Sequence, residues 1–336
     1  MKKFFLIAVT LIYSTLSLFA EGPVLTKIGK YKCGRQPKQV LFSPDNKYII
    51  MPLLEDNGFD IFDIENKKML NRINPPNSKK EGYVEGLFIP EKKVFLVSQM
   101  TTGNIYEYTY PGFELKRTIP TKGIWSKFIA YSPEKDMLAV SNWVSNDVSL
   151  IDYKTGEVLR KLKTGKAPRG LFFINKGDEI VSLAFDGGII EKFNTENGKR
   201  TNSISIKNSA MRHIVMNDER TKAYISDMYF SQIYEIDMEK FKIERKTKVY
   251  INPNTIDLLN NRWLFVSSRG PNNPQDYTKR SPSNGKIQII DITTMEVVKK
   301  FEGGNQPTGL DVSDDGKLLC FSNFQDENIE LYSISE

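Results

Sequence analysis

The sequence is poor in the residues that most often carry enzyme chemistry. Its 336 residues include one histidine, His213, and two cysteines, Cys33 and Cys320. One histidine excludes a multi-histidine metal centre and leaves a single candidate for a histidine-dependent triad. The chain also has no C-x-x-C-H haem motif, no zinc-type cysteine pair and no phosphate-binding loop. We therefore expect no cofactor and no metal site.

A block of basic residues is also missing. The chain has 47 lysines and arginines against 41 acidic residues, and both signs are interspersed along its length. Nucleic-acid binding would need clustered Lys or Arg together with aromatic residues, so this pattern disfavours a nucleic-acid partner. Aspartate-rich turns such as residues 314–316 lack the spaced oxygen donors of a calcium loop, and we interpret them as hairpin turns.

Sustained helical periodicity is absent after residue 20. Before it, two lysines precede an apolar stretch over residues 4–19, and Ala20 is followed by Glu21. This order predicts a secretory signal peptide over residues 1–20 and export to the periplasm or the cell surface. Leu18 is larger than the residue usually found three positions before the cut, so an uncleaved membrane anchor remains the alternative. The lack of a nearby cysteine disfavours a lipid-anchored lipoprotein.

The rest of the chain is a repeat of turns and short strands. Six times, a strand that ends in a hydrophobic-aspartate turn is followed by a partner strand, as in residues 148–162 and 287–301. The residues that open the first strand of each repeat, called anchors here, are spaced 47, 41, 43, 43, 42 and 54 positions apart: Pro37, Val84, Trp125, Pro168, Met211, Pro253 and Pro307. Periods of this size suit four strands per propeller blade. The sequence predicts an all-β, seven-bladed β-propeller that forms a single domain over residues 21–336.

The two ends of the chain predict how the ring closes. Residues 329–334 form a strand with no partner after it, and residues 24–34 form one with no strand before it. Residues 24–34 align with the outer strands of other repeats, so the N-terminal strand, residues 24–33, should complete the last blade. Closure leaves only short, protected strand edges. Cys33 and Cys320 would then lie two strands apart, at about 10 Å. That distance exceeds disulfide reach, so we expect both thiols to be free.

The best-preserved repeats carry a family resemblance. Residues 132–158 read S-P-E-K-D-M-L-A-V-S-N and, further on, D-V-S-L-I-D-Y-K-T-G-E-V; residues 168–170 and the final repeat, 306–334, fit the same pattern. This resembles the YVTN-type repeat of YncE-like and surface-layer-associated bacterial propellers. The resemblance covers nearly all of the chain after residue 20 and implies the propeller fold. It implies no particular activity, because one fold hosts many functions.

Candidate functional residues follow from the propeller geometry. The loops that lead into each first strand gather at one mouth of the central channel, and loops on a rigid scaffold are where function concentrates. The residues expected to bind a ligand or partner there are Lys38, Glu85, Trp125, Lys127, Arg169, Arg212 and His213, with Trp143, Tyr229, Arg269 and Tyr277 on the surrounding loops. Several cations and aromatic residues beside one acid suit an anionic or carbohydrate-like ligand, or an acidic loop of a protein partner.

Simpler interpretations of these residues remain open. The cations can be solvated or paired with Glu85, His213 can be a hydrogen-bonded residue at a strand start, and Trp125 can pack between blades. Residues 270–285 in blade six (GPNNPQDYTKRSPSNG) are too rich in Pro, Asn and Gly to hold a strand. Long loops in compact domains are usually functional or disordered, so this insertion is either a lid or partner-binding loop, or a passive one.

The leading hypothesis is an exported, monomeric, non-catalytic propeller that binds a protein partner or an anionic small molecule at its channel mouth. An enzyme of the lyase or lactonase kind is the second possibility, but it would need a metal or a histidine-centred acid–base set, and the ring offers one acid, Glu85. A surface-exposed adhesion or structural envelope protein is the third. Contact with a membrane is expected only through an uncleaved leader.

Overall fold

The computed structural model describes residues 22–76 and 80–335. The predicted signal peptide, residues 1–20, lies outside the described residues. Within the described part, the only helical segments are two short 3-10 turns, Pro90–Lys92 and Asn175–Gly177. No helix in that part is long and apolar enough to cross a membrane.

The strands of the described residues form seven four-stranded antiparallel sheets. The N-terminal strand is β1 (Val24–Lys32). Blade 1 holds β2 (Leu41–Phe42), β3 (Tyr48–Pro52), β4 (Phe59–Asp63) and β5 (Lys68–Met69). Blade 2 holds β6 (Tyr83–Ile89), β7 (Val94–Gln99), β8 (Asn104–Thr109) and β9 (Leu115–Pro120). Blade 3 holds β10 (Ser126–Ser132), β11 (Met137–Asn142), β12 (Asp147–Asp152) and β13 (Val158–Lys163).

The remaining blades repeat this order. Blade 4 holds β14 (Pro168–Ile174), β15 (Glu179–Ala184), β16 (Ile189–Asn194) and β17 (Arg200–Ser205). Blade 5 holds β18 (Met211–Met216), β19 (Lys222–Asp227), β20 (Gln232–Asp237) and β21 (Lys242–Lys248). Blade 6 holds β22 (Pro253–Leu259), β23 (Trp263–Ser268), β24 (Lys286–Asp291) and β25 (Glu296–Glu302). Blade 7 holds β26 (Pro307–Val312), β27 (Leu318–Asn323), β28 (Asn328–Ser335) and β1.

The first strands of neighbouring blades contact one another around a closed ring, since β2 contacts β26 as β6 contacts β10. The predicted seven-bladed β-propeller is confirmed. Hydrophobic clusters fill the space between neighbouring blades; one joins Leu96 of blade 2 to Leu138 of blade 3, and another joins Leu183 of blade 4 to Ile225 of blade 5. The middle strands are buried on both faces, whereas the outer strand β21 alternates between exposed and half-buried residues. Burial of these apolar side chains between sheets is the main source of stability.

The N-terminal strand closes the ring as predicted. β1 pairs antiparallel with β28, from Val24 opposite Ser335 to Lys32 opposite Asn328. Ile329 and Leu331 of β28 then pack with residues of blade 1 in one hydrophobic cluster. Cys33 follows β1 and Cys320 lies in β27, two strands away, and both thiols are free.

The strand ladders correct the predicted anchors of blades 2 and 3. Ser126 pairs with Asn142 just as Pro168 pairs with Ala184, so Ser126, not Trp125, is the anchor of blade 3. Tyr83 likewise replaces Val84 in blade 2, because it pairs with Gln99 at the equivalent place. Neither blade has a proline there, so the sequence alone did not show the one-residue shift.

The residue before each anchor closes a tight turn. Its carbonyl accepts the N–H of the residue after the second strand in every blade; the accepting residues are Gln36, Gly82, Trp125, Ala167, Ala210, Asn252 and Gln306. All of these but Ala210 have positive φ, including Trp125 at 59° and Ala167 at 55°. The turn therefore favours a residue with left-handed φ, a conformation that small or polar side chains adopt most easily.

Candidate functional site

Four basic side chains come from equivalent positions at one mouth of the channel. They directly follow the anchors of blades 1, 3, 4 and 5: Lys38, Lys127, Arg169 and Arg212. The matching positions of the other blades hold neutral residues, namely Val84, Asn254 and Thr308, all buried. Arg269, from the residue after β23, joins the basic residues. These five side chains, Lys38, Lys127, Arg169, Arg212 and Arg269, are called the cation cluster below.

Glu85 is the acid that forms ion pairs with the cation cluster among residues 22–76 and 80–335. Its carboxylate oxygen Oε1 accepts a hydrogen bond from Nη2 of Arg169, and Nη2 of Arg212 lies 3.8 Å from the same oxygen. The three side chains are buried, at 3% exposure for Glu85, 1% for Arg169 and 4% for Arg212. The two arginines are thus not solvated surface charges, and the interpretation that pairs Arg169 with Glu85 is confirmed.

Lys127 takes a different partner. Its Nζ lies 3.8 Å from the ring centroid of Trp143 and 5.5 Å from that of Trp125. Lys38 makes the same kind of contact, since its Nζ lies 4.9 Å from the ring centroid of Phe324. The guanidinium carbon of Arg269 lies 5.2 Å from the same Phe324 ring. Aromatic faces, which attract cations, therefore support both lysines where carboxylates do not.

Buried guanidinium N–H groups of the cluster lack acceptors in the part of the chain that the structure describes. Nη1 of Arg169, Nη1 of Arg212 and Nε of Arg269 have no hydrogen-bond partner there. Arg269 uses its Nη2 to donate to Oε1 of Gln306. A buried donor without an acceptor costs about 1–3 kcal/mol, and more when it is charged. These donors are available to an acceptor from outside the chain.

Burial and mutual repulsion oppose protonation of the two lysines. Burial lowers the pKa of Lys38 well below its usual value, and the fields of Arg269, Arg212, Arg169 and Lys127 lower it further. Burial also lowers the pKa of Lys127, followed by the fields of Arg169 and Arg212, while Glu85 and the exposed Asp186 act in the opposite direction. A bound anion would relieve this repulsion and favour the protonated form of both lysines.

His213 lies beside the cluster and is neutral. Burial, followed by the charges of Arg212 and Arg169, lowers its pKa to about 3. Its backbone N–H donates to Oγ of Ser226, and its ring stands edge-on to Phe128 with centroids 5.6 Å apart. The backbone of His213 is hydrogen-bonded, as the interpretation of a residue at a strand start requires, but its buried Nδ1 has no hydrogen-bond partner among the described residues.

A row of aromatic side chains, called the aromatic wall below, borders the cluster along blades 3 to 5. It consists of Trp125, Trp143, Phe185 and Tyr229. Ring centroids of Trp143 and Phe185 are 5.0 Å apart, and those of Phe185 and Tyr229 are 5.8 Å apart. Trp125 is 43% exposed and Tyr229 is 60% exposed. The wall therefore presents two aromatic surfaces to solvent next to buried positive charge.

Sequence reasoning missed Phe185 and Gln306. Phe185 follows β15 as Trp143 follows β11, and both backbone N–H groups donate to the residue before the anchor, Ala167 and Trp125 respectively. The signal was the position after the second strand, where Phe324 and Arg269 also lie. Gln306 carried no signal, since its role depends on the contact with Arg269.

The insertion over residues 270–285 is held against blade 7 beside the mouth. Arg280 forms an ion pair with Asp326 at 2.5 Å, and the side chain of Asn305 exchanges hydrogen bonds with the backbone of Ser281 at 2.9 and 3.0 Å. The carbonyl of Lys279 accepts from Gln306 at 3.2 Å. Tyr277 is 65% exposed. Burial lowers the pKa of Arg269 to about 10, and Tyr277 acts in the opposite direction. The insertion thus borders the mouth, and its Tyr277 lies close enough to Tyr229 of the aromatic wall for their charges to interact.

No group of three or more His, Cys, Asp or Glu side chains within residues 22–76 and 80–335 is arranged to hold a metal ion. The five basic side chains lie close enough for their charges to interact, and Glu85 pairs with Arg169 and Arg212: Lys38, Lys127, Arg169, Arg212 and Arg269. Trp125, Trp143 and Tyr229 lie along the aromatic wall, and Tyr277 acts on both Tyr229 and Arg269.

Comparison with known proteins gives one informative relationship. No family model matches the chain. Over 328 residues it is 38% identical to "Antigen Lp49" of Leptospira interrogans serogroup Icterohaemorrhagiae serovar copenhageni (strain Fiocruz L1-130), and the match covers 94% of this chain and 71% of that protein. Similarity of this extent establishes common ancestry.

Proposed function

The chain belongs to the family of Antigen Lp49, and from this premise we propose that it is an exported, monomeric, non-catalytic protein that binds an anionic group at the channel mouth. The relative's name, an antigen, supports a location outside the cytoplasm. The leader over residues 1–20 supports the same location. Mass spectrometry of the secreted protein should find Glu21 as its first residue; an intact leader on a membrane-bound form would support the anchor alternative.

We also assign the blades to the YVTN type on the chemistry of their turns. Oγ of Ser43 lies 2.8 Å from Asp45, and Oγ of Ser313 lies 2.7 Å from Asp315, in the turn between the first and second strands. Both hydroxyls also accept a backbone N–H from the start of the second strand. The repeated Ser-x-Asp turn is therefore a structural device rather than a binding motif.

Anion binding is supported by one observation above all, the excess of buried positive charge. Five basic side chains lie within reach of one another's charge, one carboxylate pairs with two of them, and three of their N–H groups have no acceptor among the described residues. Burying unpaired charge is costly, and an incoming carboxylate, sulfate or phosphate would supply both the charge and the acceptors. The neutral state of His213 supports a binding role over acid–base catalysis.

Calorimetric titration with inorganic sulfate, phosphate and citrate tests this function. We expect saturable binding that weakens as sodium chloride is raised from 20 to 500 mM, because added salt screens the attraction between charges. The matched pair of variants is Arg212→Gln and Lys246→Gln. Each removes one positive charge, but Lys246 lies exposed on the outer strand β21. Equal affinities for the two variants, or no binding by the unmodified protein, would contradict the proposal.

A further inference from the structure

We propose that the bound anion is the carboxylate of an acidic sugar, with the carboxylate in the cation cluster and the sugar ring against the aromatic wall. This inference rests on the proposed anion site and adds the chemical class of its ligand. Three features of the mouth carry it: a neutral polar arc beside the cations, an exposed tryptophan, and a lysine that joins the two regions.

The floor of the mouth is only partly cationic. In blades 6 and 7, the positions equivalent to Arg169 and Arg212 hold Asn254 and Thr308, which are 1% and 0% exposed. The side-chain nitrogen of Asn254 contacts Sδ of Met228 at 3.8 Å, a weak acceptor that leaves the amide with spare hydrogen-bonding capacity. A ligand that only carried charge would use the cations alone. A ligand with hydroxyl groups, which both donate and accept, would use the neutral arc as well.

Trp125 places an exposed indole at the mouth beside Lys127. The turn before each anchor needs a left-handed residue in this blade as in others, and Ala167 meets that need in blade 4 with φ at 55°. Trp125 adopts φ at 59° although a bulky side chain pays a steric cost there, and it leaves its indole 43% exposed. Phe113 and Phe241 also adopt positive φ, so it is the exposure of the indole beside the cation cluster that points to a ligand, not the backbone conformation. The exposed indole face suits a sugar ring, whose C–H bonds pack against the negative face of an aromatic ring.

Lys127 places the charge and the platform within reach of one ligand. Its Nζ lies 5.5 Å from the ring centroid of Trp125 and 3.8 Å from that of Trp143. The charges of Arg169 and Arg212 also act on this nitrogen. Lys127 therefore links the buried arginines to the aromatic wall. A carboxylate bound at Lys127 would bring the ring that carries it over Trp125. Further rings of a glycan would extend towards Tyr229, which is 60% exposed.

Burial of the cluster favours a sugar over an acidic protein loop. Arg169 and Arg212 are 1% and 4% exposed, so the group that reaches their N–H atoms must be narrow and must leave its bulk at the rim. The rim offers aromatic faces. A peptide carboxylate would meet the cations without using those faces, and it serves as the competing outcome of the test.

Calorimetry with defined probes tests the inference. The acidic sugars are trigalacturonate and 3′-sialyllactose, their neutral counterparts are the methyl ester of trigalacturonate and lactose, and the comparison anions are inorganic sulfate and a hexa-aspartate peptide. We expect at least one acidic sugar to bind at least tenfold more tightly than its neutral counterpart, sulfate and the peptide.

The variant Trp125→Ala separates sugar binding from anion binding, because Ala167 shows that alanine is compatible with this turn. It should weaken binding of the acidic sugar at least tenfold more than it weakens binding of sulfate, because Trp143 still supports Lys127. Leu159→Ala, which removes an apolar side chain 59% exposed on β13, is the control and should change neither.

The possible failures are distinct. Sulfate binding without any advantage for either acidic sugar, or an acidic sugar unaffected by Trp125→Ala, would overturn this inference and leave the anion site standing. Tighter binding of hexa-aspartate would replace the sugar by an acidic protein segment. Absence of binding by every anion, sulfate included, would remove the proposed function itself.

Discussion

Asp257 and Asp311 occupy equivalent positions in the first strands of blades 6 and 7, and each binds the backbone of the next blade. Oδ2 of Asp257 accepts the N–H of Val312 at 2.8 Å, and Oδ2 of Asp311 accepts the N–H of Phe42 at 2.6 Å. The second bond crosses from blade 7 to blade 1, where the ring closes. The carboxyl groups of Asp257 and Asp311 also lie close enough to interact with each other. They therefore cannot both ionise without repulsion.

This pair predicts a pH-dependent stability. Burial raises the pKa of Asp257 to about 6, and burial followed by the charge of Asp257 raises the pKa of Asp311 well above its usual value; Asp314 raises both. A raised acid pKa stabilises the folded state fully below the unfolded value of about 3.9. That contribution is lost as pH rises through about 6. Asp311→Asn keeps an acceptor for Phe42 and should raise stability at pH 8 by about 1–2 kcal/mol relative to pH 5.

Denaturant unfolding at pH 5 and pH 8 measures this difference. The control is Glu65→Gln, which removes one negative charge from the exposed turn between β4 and β5. Its effect on the free energy of unfolding should be the same at both pH values. If Asp311→Asn also changed the free energy of unfolding equally at pH 5 and pH 8, the carboxyl pair would not oppose folding.

Serine hydroxyls at the ends of the second strands predict a second set of stability changes. Oγ of Ser226 accepts the N–H of His213 at 3.1 Å and donates to the carbonyl of Asn254 in the next blade at 2.7 Å. Ser226→Ala leaves both backbone groups without this partner and should cost about 1–3 kcal/mol. Ser182 is the matched control, because it is equally buried in blade 4 but its Oγ has no hydrogen-bond partner among the described residues. Equal losses for the two variants in urea unfolding would contradict this interpretation.

Removal of β1 should open the ring. Without residues 24–32, the edge of β28 loses its partner, and exposed edges promote aggregation. We expect a lower melting temperature and oligomers by light scattering. A synthetic peptide of residues 24–34 should restore the monomer by adding the missing strand, whereas a scrambled peptide should not. A truncated protein that stays monomeric with an unchanged melting temperature would disprove the role of β1.

One variant in the cation cluster should weaken binding without lowering stability. Arg212→Gln removes a charge-assisted donor and should weaken sulfate binding by about 10- to 100-fold. In the absence of ligand it should not reduce stability, because Arg212 lies in the field of Arg169 and Arg269 and burial already lowers its pKa. Calorimetry measures the change in sulfate affinity, and melting curves without ligand measure the change in stability. A destabilised protein with unchanged affinity would assign Arg212 to the structure rather than to binding.

The sequence by itself determined the propeller architecture and which basic residues lie at the channel mouth. Turn residues such as those at 43–46 and 313–316 act locally, so their spacing revealed blades without knowledge of any contact. The orphan strands at the two ends revealed the closure, because an unpaired strand must find an edge. The two residues after each predicted anchor then placed Lys38, Lys127, Arg169 and Arg212 together at one mouth of the channel.

Tertiary structure alone decided how those residues are arranged. The anchor of blade 3 is Ser126 because the ladder pairs it with Asn142, and a one-residue shift in register is invisible to spacing when the proline is missing. Arg169 of blade 4 is buried on Glu85 of blade 2 because side chains from different blades meet only when the ring is closed. Lys127 rests on Trp143 because the first two strands of blade 3 pair side by side. Burial, pairing and the loss of solvent around a charge are properties of contacts between distant segments, so they emerge only with the fold.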